Sequence, residues 1–172
     1  MQWLTLTIKG RQSGLRVADG KMRLSTRAAD GAWSPWSVVP GVDAADFAGS
    51  TLSIAARPNG DAQIAAIGND GNIWHTVHRA DGRWTDWGAP AGVSTDTMGA
   101  STVAITGLPN GDSQVAAVGL DGNVYHDVRD SGGDWTPFRP VGGIKGAGTF
   151  AGDQAGITGL PDGSSRLVLT TR

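Results

Sequence analysis

The chain contains no cysteine, and none of its sixteen acidic residues is glutamate. Without cysteine it can form neither disulfides nor thiolate metal sites. Glutamate favours helices, whereas aspartate and glycine favour turns, and the chain holds 27 glycines. We therefore expect a fold rich in turns and poor in helix.

Other absences narrow the function and the location. The formal net charge is −2 and no run of basic residues occurs, so we expect no nucleic-acid partner. No apolar run reaches the length of a membrane span. The opening MQWLTLTIKG has no basic region followed by a long apolar stretch, so no secretory signal is seen. The compartment stays undetermined, with the cytoplasm or a non-classical export route as the alternatives.

Turn residues, by contrast, are abundant and recur at a fixed spacing. The pairs Asn59-Gly60, Asp70-Gly71 and Asp81-Gly82 stand eleven residues apart. A larger period of 51 residues relates the tryptophans Trp33, Trp84 and Trp135. Such regularity indicates an internal repeat. The predicted repeats are 1–50, 51–101, 102–153 and a partial 154–172, within a single domain spanning 1–172.

Each repeat is predicted to form a four-stranded antiparallel meander. Asn-Gly and Asp-Gly pairs suit two-residue type I′ turns, in which both central residues have positive φ. In the second repeat these turns delimit strands at 51–57, 61–69, 72–80 and 83–89. The first strand of each repeat holds small side chains, and the fourth holds tryptophan and phenylalanine, so each sheet is a wedge.

Wedge-shaped sheets packed around an axis make a β-propeller. The sequence therefore predicts an all-β propeller of four-stranded blades, with about three and a half blades per chain. Propellers close with about four to eight blades, so we expect a homo-oligomer, a dimer or higher, to complete the ring. A four-bladed ring with one stunted blade, or a piece of a longer protein, are the alternatives.

The segments DGNIWHTVHRADGRWTDWGAPAGV and DGNVYHDVRDSGGDWTPFRPVGG carry a family resemblance. They resemble the tectonin and fucose-lectin-like β-propeller repeats, in which a DG-x-[ILV]-W-H strand precedes a G-x-W-x-x-W strand. The resemblance implies carbohydrate recognition in shallow sites between blades, with glycans or monosaccharides as partners. The first repeat departs from the pattern, because Arg23 and Leu24 stand where the second has Trp74 and His75.

Sugar sites combine a flat aromatic surface with a few oriented polar groups. Trp74 with His75, and Tyr125 with His126, offer both at equivalent positions, and nearby arginines could donate to hydroxyls. The candidate ligand-binding residues are Trp74, His75, Arg79, Trp87, Tyr125, His126 and Arg129. The structural alternative is that the aromatic rings fill space between blades and the histidines bond to backbone.

No catalytic, metal or cofactor site is predicted. The aspartates that precede glycine are expected to bond to local backbone in turns: Asp19, Asp30, Asp70, Asp81, Asp121 and Asp162. RADGRW resembles the Asp-box of sialidase propellers, and that resemblance implies a tyrosine nucleophile, a glutamate partner and an arginine cluster. The chain has no glutamate, and its single tyrosine lies in a repeated structural motif. We therefore expect no enzyme. The competing functions are a lectin and a non-catalytic structural or protein-interaction scaffold.

Overall fold

The computed structural model describes residues 4–8, 11–18, 21–41, 51–90, 99–141 and 152–171. Their regular elements are all strands: β1 (Leu4–Ile8), β2 (Arg11–Ala18), β3 (Lys21–Arg27), β4 (Ser37–Val38), β5 (Leu52–Ala56), β6 (Ala62–Ile67), β7 (Ile73–His78), β8 (Ala100–Gly107), β9 (Ser113–Gly119), β10 (Val124–Arg129), β11 (Arg139–Pro140), β12 (Gly152–Gly159) and β13 (Ser165–Thr171). These described residues include no helix that could cross a membrane. The prediction of an all-β fold is confirmed.

The strands form four antiparallel sheets, each from consecutive strands. The first sheet holds β1 to β4, the second β5 to β7, the third β8 to β11 and the fourth β12 and β13. The first three strands predicted between 51 and 80 match β5, β6 and β7 within two residues, while the division into repeats stays a prediction. The number of blades in a closed ring and its completion by a further chain remain predictions.

After β3 and in the sheets that follow it, the described tight turns are three-residue loops, not the predicted two-residue type I′ turns. Gly68 N–H donates to Asn72 O at 2.9 Å, and Gly71 N–H donates to Gly68 O at 3.0 Å. The glycine has positive φ (76° at Gly71), so it alone absorbs the left-handed conformation that type I′ would require twice. The same bond pair recurs at the turns that begin at Ala28, Arg57, Arg79, Leu108, Gly119, Asp130 and Leu160.

The aspartates in these loops bond to backbone as predicted. Oδ1 of the aspartate accepts from the N–H two residues later at Asp30, Asp70, Asp81, Asp121 and Asp162, at 2.9–3.0 Å. The sixth residue of the set, Asp19, lies outside the described residues. These carboxylates are turn residues.

The fourth strand of each repeat is much shorter than predicted. In the second repeat it is reduced to two isolated bridges, His78 with Trp84 and His75 with Gly88. The register shifts by one residue between these bridges, which is the signature of a bulge. Since residues three apart on a regular strand face opposite sides, the extra residue explains how Trp84 and Trp87 both pack on one face.

Apolar side chains lie between successive sheets. At the 1–2 interface, Met22 and Leu24 of the first sheet meet Ile54 and Ile64 of the second. At the 2–3 interface, residues of the second sheet pack against residues of the third: Ala65, Ile67 and Ile73 against Val103, Val115 and Ala117. Each sheet with two neighbours is thus buried on both faces, as a propeller blade requires.

The first strands of the repeats converge at the narrow edges of the wedges. A Cβ on Gly107 would overlap the carbonyl oxygen of Ala56, so only glycine fits between these strands. Ser53 Oγ accepts a hydrogen bond from Ile105 N at 3.1 Å and ties β5 to β8. Elsewhere β5, β8 and β12 line an open cavity of about 490 Å³.

Candidate functional site

Adjacent candidates on β7 point in opposite directions. Trp74 packs into the 1–2 interface, whereas His75 faces the third sheet, where its ring meets Trp135 edge-on with centroids 5.0 Å apart. The alternation of side chains along a strand imposes this divergence. The structure therefore does not join Trp74 and His75 in one site. Each contributes to a different interface between sheets.

Trp74 and Tyr125 are held by the aspartate four residues earlier. Trp74 Nε1 donates to Asp70 at 3.2 and 3.3 Å, and Tyr125 Oη donates to Asp121 Oδ2 at 2.7 Å. This hydrogen bond raises the pKa of the Tyr125 hydroxyl. Both rings are partly buried and pack against the cores. Their polar atoms are thus engaged within the chain.

Trp87 belongs to the 1–2 interface with Trp74. Its Nε1 donates to the carbonyl oxygen of Pro40 in the first repeat at 3.0 Å. A Cβ on Gly41 would lie 3.2 Å from Trp87 Cδ1. The edge of the Trp87 indole therefore links the second repeat to the first.

His75 forms part of a buried polar relay across the 2–3 interface. His75 Nε2 lies 3.0 Å from Gln63 Oε1, and Gln63 Nε2 donates to Ser113 Oγ on the third sheet. Burial, together with the charges of Arg129 and Arg57, lowers the pKa of His75 to about 3. The imidazole is therefore neutral at physiological pH.

The same three residue types meet one period later, but there the serine donates to the glutamine oxygen. His126 Nε2 lies 3.2 Å from Gln114 Oε1, and Ser165 Oγ of the fourth sheet donates to that oxygen at 2.7 Å. At the 1–2 interface the positions of histidine and serine hold Leu24 and Ala62. His126 thus belongs to the 3–4 interface, away from the other candidates.

A cationic or aromatic side chain at the end of the third strand pairs with the tryptophan that follows it. His78 stacks on Trp84 with centroids 4.5 Å apart, and the Arg129 guanidinium lies 5.8 Å from the ring centroid of Trp135. Arg27 is bridged to Trp33 at the equivalent position. The pair is thus part of the repeat.

Two further arginines approach Arg129 from the second sheet. Arg57 Nη2 donates to Gly111 O at 2.9 Å and to Ser131 O at 2.8 Å, which draws its guanidinium across to the third sheet. Arg79 is exposed and begins the turn that follows β7. The 2–3 interface therefore carries three arginines at the end where Trp135 lies.

The charges of Arg57 and Arg79 both act on Arg129. Burial lowers the pKa of its guanidinium, and the charge of Arg57 acts in the same direction, as does that of Arg79. The carboxylates of Asp130 and Asp134 oppose this effect. Arg129 Nε is buried and has no hydrogen-bond partner. We call Arg57, Arg79 and Arg129 the arginine cluster.

A buried carboxylate, Asp127, lies on the same strand as Arg129. Its Oδ1 accepts from Val128 N at 2.7 Å and from Thr136 Oγ1 at 2.5 Å, while Oδ2 has no partner. Burial raises the pKa of this carboxyl, although the two hydrogen bonds work against the shift. The equivalent residue of the second repeat is Thr76, so the fold itself does not require an acid here.

Four predicted residues therefore lie at the 2–3 interface: His75, Arg79 and Arg129 near Trp135, and Tyr125 at the other end. Sequence reasoning did not select Arg57, and it assigned Trp135 to packing alone. A comparison of the repeats could have singled out Arg57 and Arg79, because Leu108 and Asp130 stand at their positions one period later. Residues that differ between repeats are not explained by the shared fold. The convergence offers a partly exposed indole beside several N–H donors. Within the described residues, no group of three or more metal-ligating side chains is found.

No protein-family model matches the chain, and no curated protein sequence matches it. Solved structures do. The BP39L lectin from Burkholderia pseudomallei is 16% identical, with a TM-score of 0.67 over 97% of this chain and 52% of its own. A fucose lectin from Kordia zhangzhouensis, solved with methyl-fucoside, is 16% identical, with a TM-score of 0.51 over 81% of this chain and 98% of its own.

A third similar structure is a point mutant of the NanB sialidase from Streptococcus pneumoniae. It is 15% identical, with a TM-score of 0.67 over 99% of this chain and 27% of its own. The chain thus spans about half of the BP39L lectin and about a quarter of the sialidase. At these identities the likenesses show a propeller-like fold that lectins and sialidases share.

The sialidase overturns the prediction that the chain is not an enzyme. That prediction rested on the absence of glutamate and on the single tyrosine, but a similar fold carries a sialidase. Glycosidases can use aspartate as well as glutamate for acid, base and nucleophile, and the chain holds sixteen acidic residues. Neither its fold nor its composition excludes catalysis.

Proposed function

We propose that the chain is a carbohydrate-binding propeller protein that recognises glycans in shallow sites between neighbouring sheets. The observation that carries this proposal is the 2–3 interface, where the partly exposed indole of Trp135 lies beside Arg129 and over His75. An indole face suits the apolar C–H side of a pyranose, and guanidinium N–H groups suit its hydroxyls. The lectins with a similar fold support the proposal.

The other candidate residues lie at different interfaces, so we assign them different roles. Arg79 and Arg129 would contact the saccharide, and His75 would fix the orientation of Trp135 from below. Tyr125 would support the other end of the same interface. Trp74 and Trp87 would serve a second site at the 1–2 interface, and His126 a third beside the fourth sheet.

A second candidate function, a scaffold that binds other proteins, is favoured by a specific observation. The polar atoms of Trp74, Tyr125 and His75 are all engaged by partners within the chain. Groups that are satisfied internally are explained by packing alone. The scaffold function therefore explains these three residues best and the arginine cluster least.

A glycan array with purified protein tests the proposal, followed by titration calorimetry on the glycans that bind. We expect binding that Trp135→Leu abolishes, because leucine fills part of the space but offers no flat aromatic face. Trp33→Leu is the matched control, because Trp33 occupies the same position of the first repeat and lies outside the 2–3 interface. A blank array with folded protein, or binding unaffected by Trp135→Leu, would leave the scaffold as the better account.

We also propose that a second copy of the chain completes the ring. The support lies in the fourth sheet, whose Val168 is 69% exposed on a two-stranded hairpin. This sheet holds two strands where a propeller blade has four, so strands of another chain could complete it. Light scattering coupled to size exclusion should give the mass of a dimer or higher assembly. A monomer mass across micromolar concentrations would count against this completion.

A further inference from the structure

One edge of the fourth sheet is unpaired in the described part of the chain. β13 pairs with β12 alone, whereas the equivalent strands β6 and β9 each pair on both edges. Leu160 N–H donates to Ser164 O and closes the hairpin, and bonded pairs alternate along an antiparallel ladder. Leu167 and Leu169 therefore direct their backbone N–H and C=O groups to the free edge. β13 contains neither proline nor lysine, which commonly protect exposed edges.

Side chains of β10 lie beside this edge. Ser165 Oγ of β13 and His126 Nε2 of β10 both reach Gln114 Oε1, at 2.7 and 3.2 Å. Val128 is paired with Gln114 and so points to the same face of the third sheet. His126 and Val128 are both half-buried. We call the free edge of β13 together with these two side chains the open slot.

The 1–2 and 2–3 interfaces show what fills the equivalent space. At the 2–3 interface, His75 and Val77 are only 6% and 4% exposed. Each of these interfaces takes three aromatic rings from the third strand of the later sheet and the segment after it: Trp74, Trp84 and Trp87 at the 1–2 interface, and Tyr125, Trp135 and Phe138 at the 2–3 interface. Residues 152–171, which form the described fourth sheet, contain no aromatic residue. The fourth sheet therefore supplies no such ring to the 3–4 interface.

We propose that the open slot binds a β-hairpin of another protein, whose first strand pairs with β13 and whose aromatic side chains cover His126 and Val128. An added strand gains main-chain hydrogen bonds along the edge, and its alternate side chains fill the space beside it. Backbone groups that repeat at strand spacing favour a polypeptide over a glycan as the occupant. The equivalent space at the other interfaces holds aromatic rings, which sets the chemistry of the hairpin.

This inference goes beyond the proposed function and does not depend on it. The hairpin would bury His126, so it would exclude a glycan from the third site beside the fourth sheet. A second copy of the chain is a less suitable donor, because its strands β3, β7 and β10 already pair within their own sheets. The partner is therefore a protein with a hairpin to spare.

The probe is a synthetic peptide of residues 121–138, DGNVYHDVRDSGGDWTPF, which carries the third strand of the third repeat and the three aromatic residues of that repeat. Added to the purified protein, it should bind saturably and slow the amide hydrogen exchange of Leu167 and Leu169 at least about tenfold. The same peptide with its three aromatic residues replaced by serine is the matched control and should leave this exchange unchanged.

Two valine variants separate the open slot from the rest of the fourth sheet. Val128→Ser removes apolar surface from the slot and should weaken peptide binding about tenfold. Val168→Ser makes the same change on the opposite face of the fourth sheet, because Val168 lies three residues from Ser165 on a regular strand. It should leave peptide binding unchanged.

The remaining outcomes would overturn the inference. They include no saturable binding by folded protein, equal binding of the control peptide, and equal weakening by both valine variants. Slow exchange of Leu167 and Leu169 in the free protein at low concentration would mean that the chain itself covers the edge. Protection that grows with protein concentration alone would make a second copy the occupant. The carbohydrate proposal at the 2–3 interface would survive each of these results, because it uses a different pair of sheets.

Discussion

Replacing Asp127 with threonine should stabilise the protein at neutral pH. The Asp127 side chain is fully buried, one of its oxygens has no partner, and burial raises the pKa of the carboxyl. At the equivalent position, Thr76 Oγ1 bonds to Thr85 at 2.8 and 3.2 Å and leaves no such atom unsatisfied. A buried polar atom left without a partner costs about 1–3 kcal/mol. We expect Asp127→Thr to recover about this amount.

The sign of the pH dependence follows from the raised pKa. A carboxyl whose pKa is higher in the native state contributes stability below its unfolded value of about 3.9, and that contribution is lost as pH rises through the native value. The advantage of Asp127→Thr should therefore be large at pH 7 and shrink as the pH falls toward 4.

Urea unfolding of both proteins at pH 7 and near pH 4 measures these quantities. The reciprocal variant, Thr76→Asp, places a carboxylate at the equivalent buried position and should destabilise by about 1–3 kcal/mol at pH 7. In a chain of this length each kcal/mol shifts the Tm by about 2–4 °C. A loss of stability in Asp127→Thr, or a gain that does not depend on pH, would refute the reasoning.

Two further predictions concern packing and the buried relay. Gly107→Ala should lower the free energy of unfolding by at least about 1–3 kcal/mol, because a Cβ would overlap the carbonyl of Ala56. Gly88→Ala is the control, since the space around its Cβ is open. In the same urea assay it should change the stability by less than about 0.5 kcal/mol. Because the native state lowers the pKa of His75 from 6.5 to about 3, its contribution to stability is complete above pH 6.5 and falls by roughly 1.4 kcal/mol per unit below it. His75→Leu should lower the free energy of unfolding by about 1–3 kcal/mol at pH 7, since Gln63 loses its hydrogen-bond partner. The variant should also lack this loss of stability at acid pH. An unchanged pH profile would contradict the role given to His75.

Much of the fold could be predicted because its signals are periodic. The spacing of Asp70-Gly71 and its equivalents sets strand length, and the progression from small to aromatic side chains sets the wedge. The loop type could not be read from the same pairs, since Asp-Gly is compatible with both two- and three-residue turns. Only the hydrogen bonds of Gly68 distinguish them.

The fourth strand shows how local irregularity defeats a periodic argument. Trp84 and Trp87 are three apart, which on a regular strand would place one ring in the interface and the other opposite. A one-residue register shift brings both inward, and no residue type in WTDW signals that shift. The boundaries of the strand were therefore the least predictable part of the sheet.

The candidate site could be predicted in its residue types and less well in its grouping. The alternation that separates Trp74 from His75 was readable from sequence. The meeting of His75 with Trp135 was not, because it depends on how one sheet packs on the next. Arg57 was missed for the same reason: its guanidinium crosses to the third sheet to reach Gly111.

The claim on which the account depends is that a saccharide lies on Trp135 between the second and third sheets. An NMR titration of the indole N–H signals with a panel of neutral and acidic methyl glycosides tests it directly, once the Trp135 and Trp33 signals are assigned by replacing each with phenylalanine. We predict a saturable shift of the Trp135 signal with at least one glycoside, while Trp33, 48% exposed at the same position of the first repeat, stays unchanged. Shifts of equal size at both signals, or no shift with any glycoside, would contradict it.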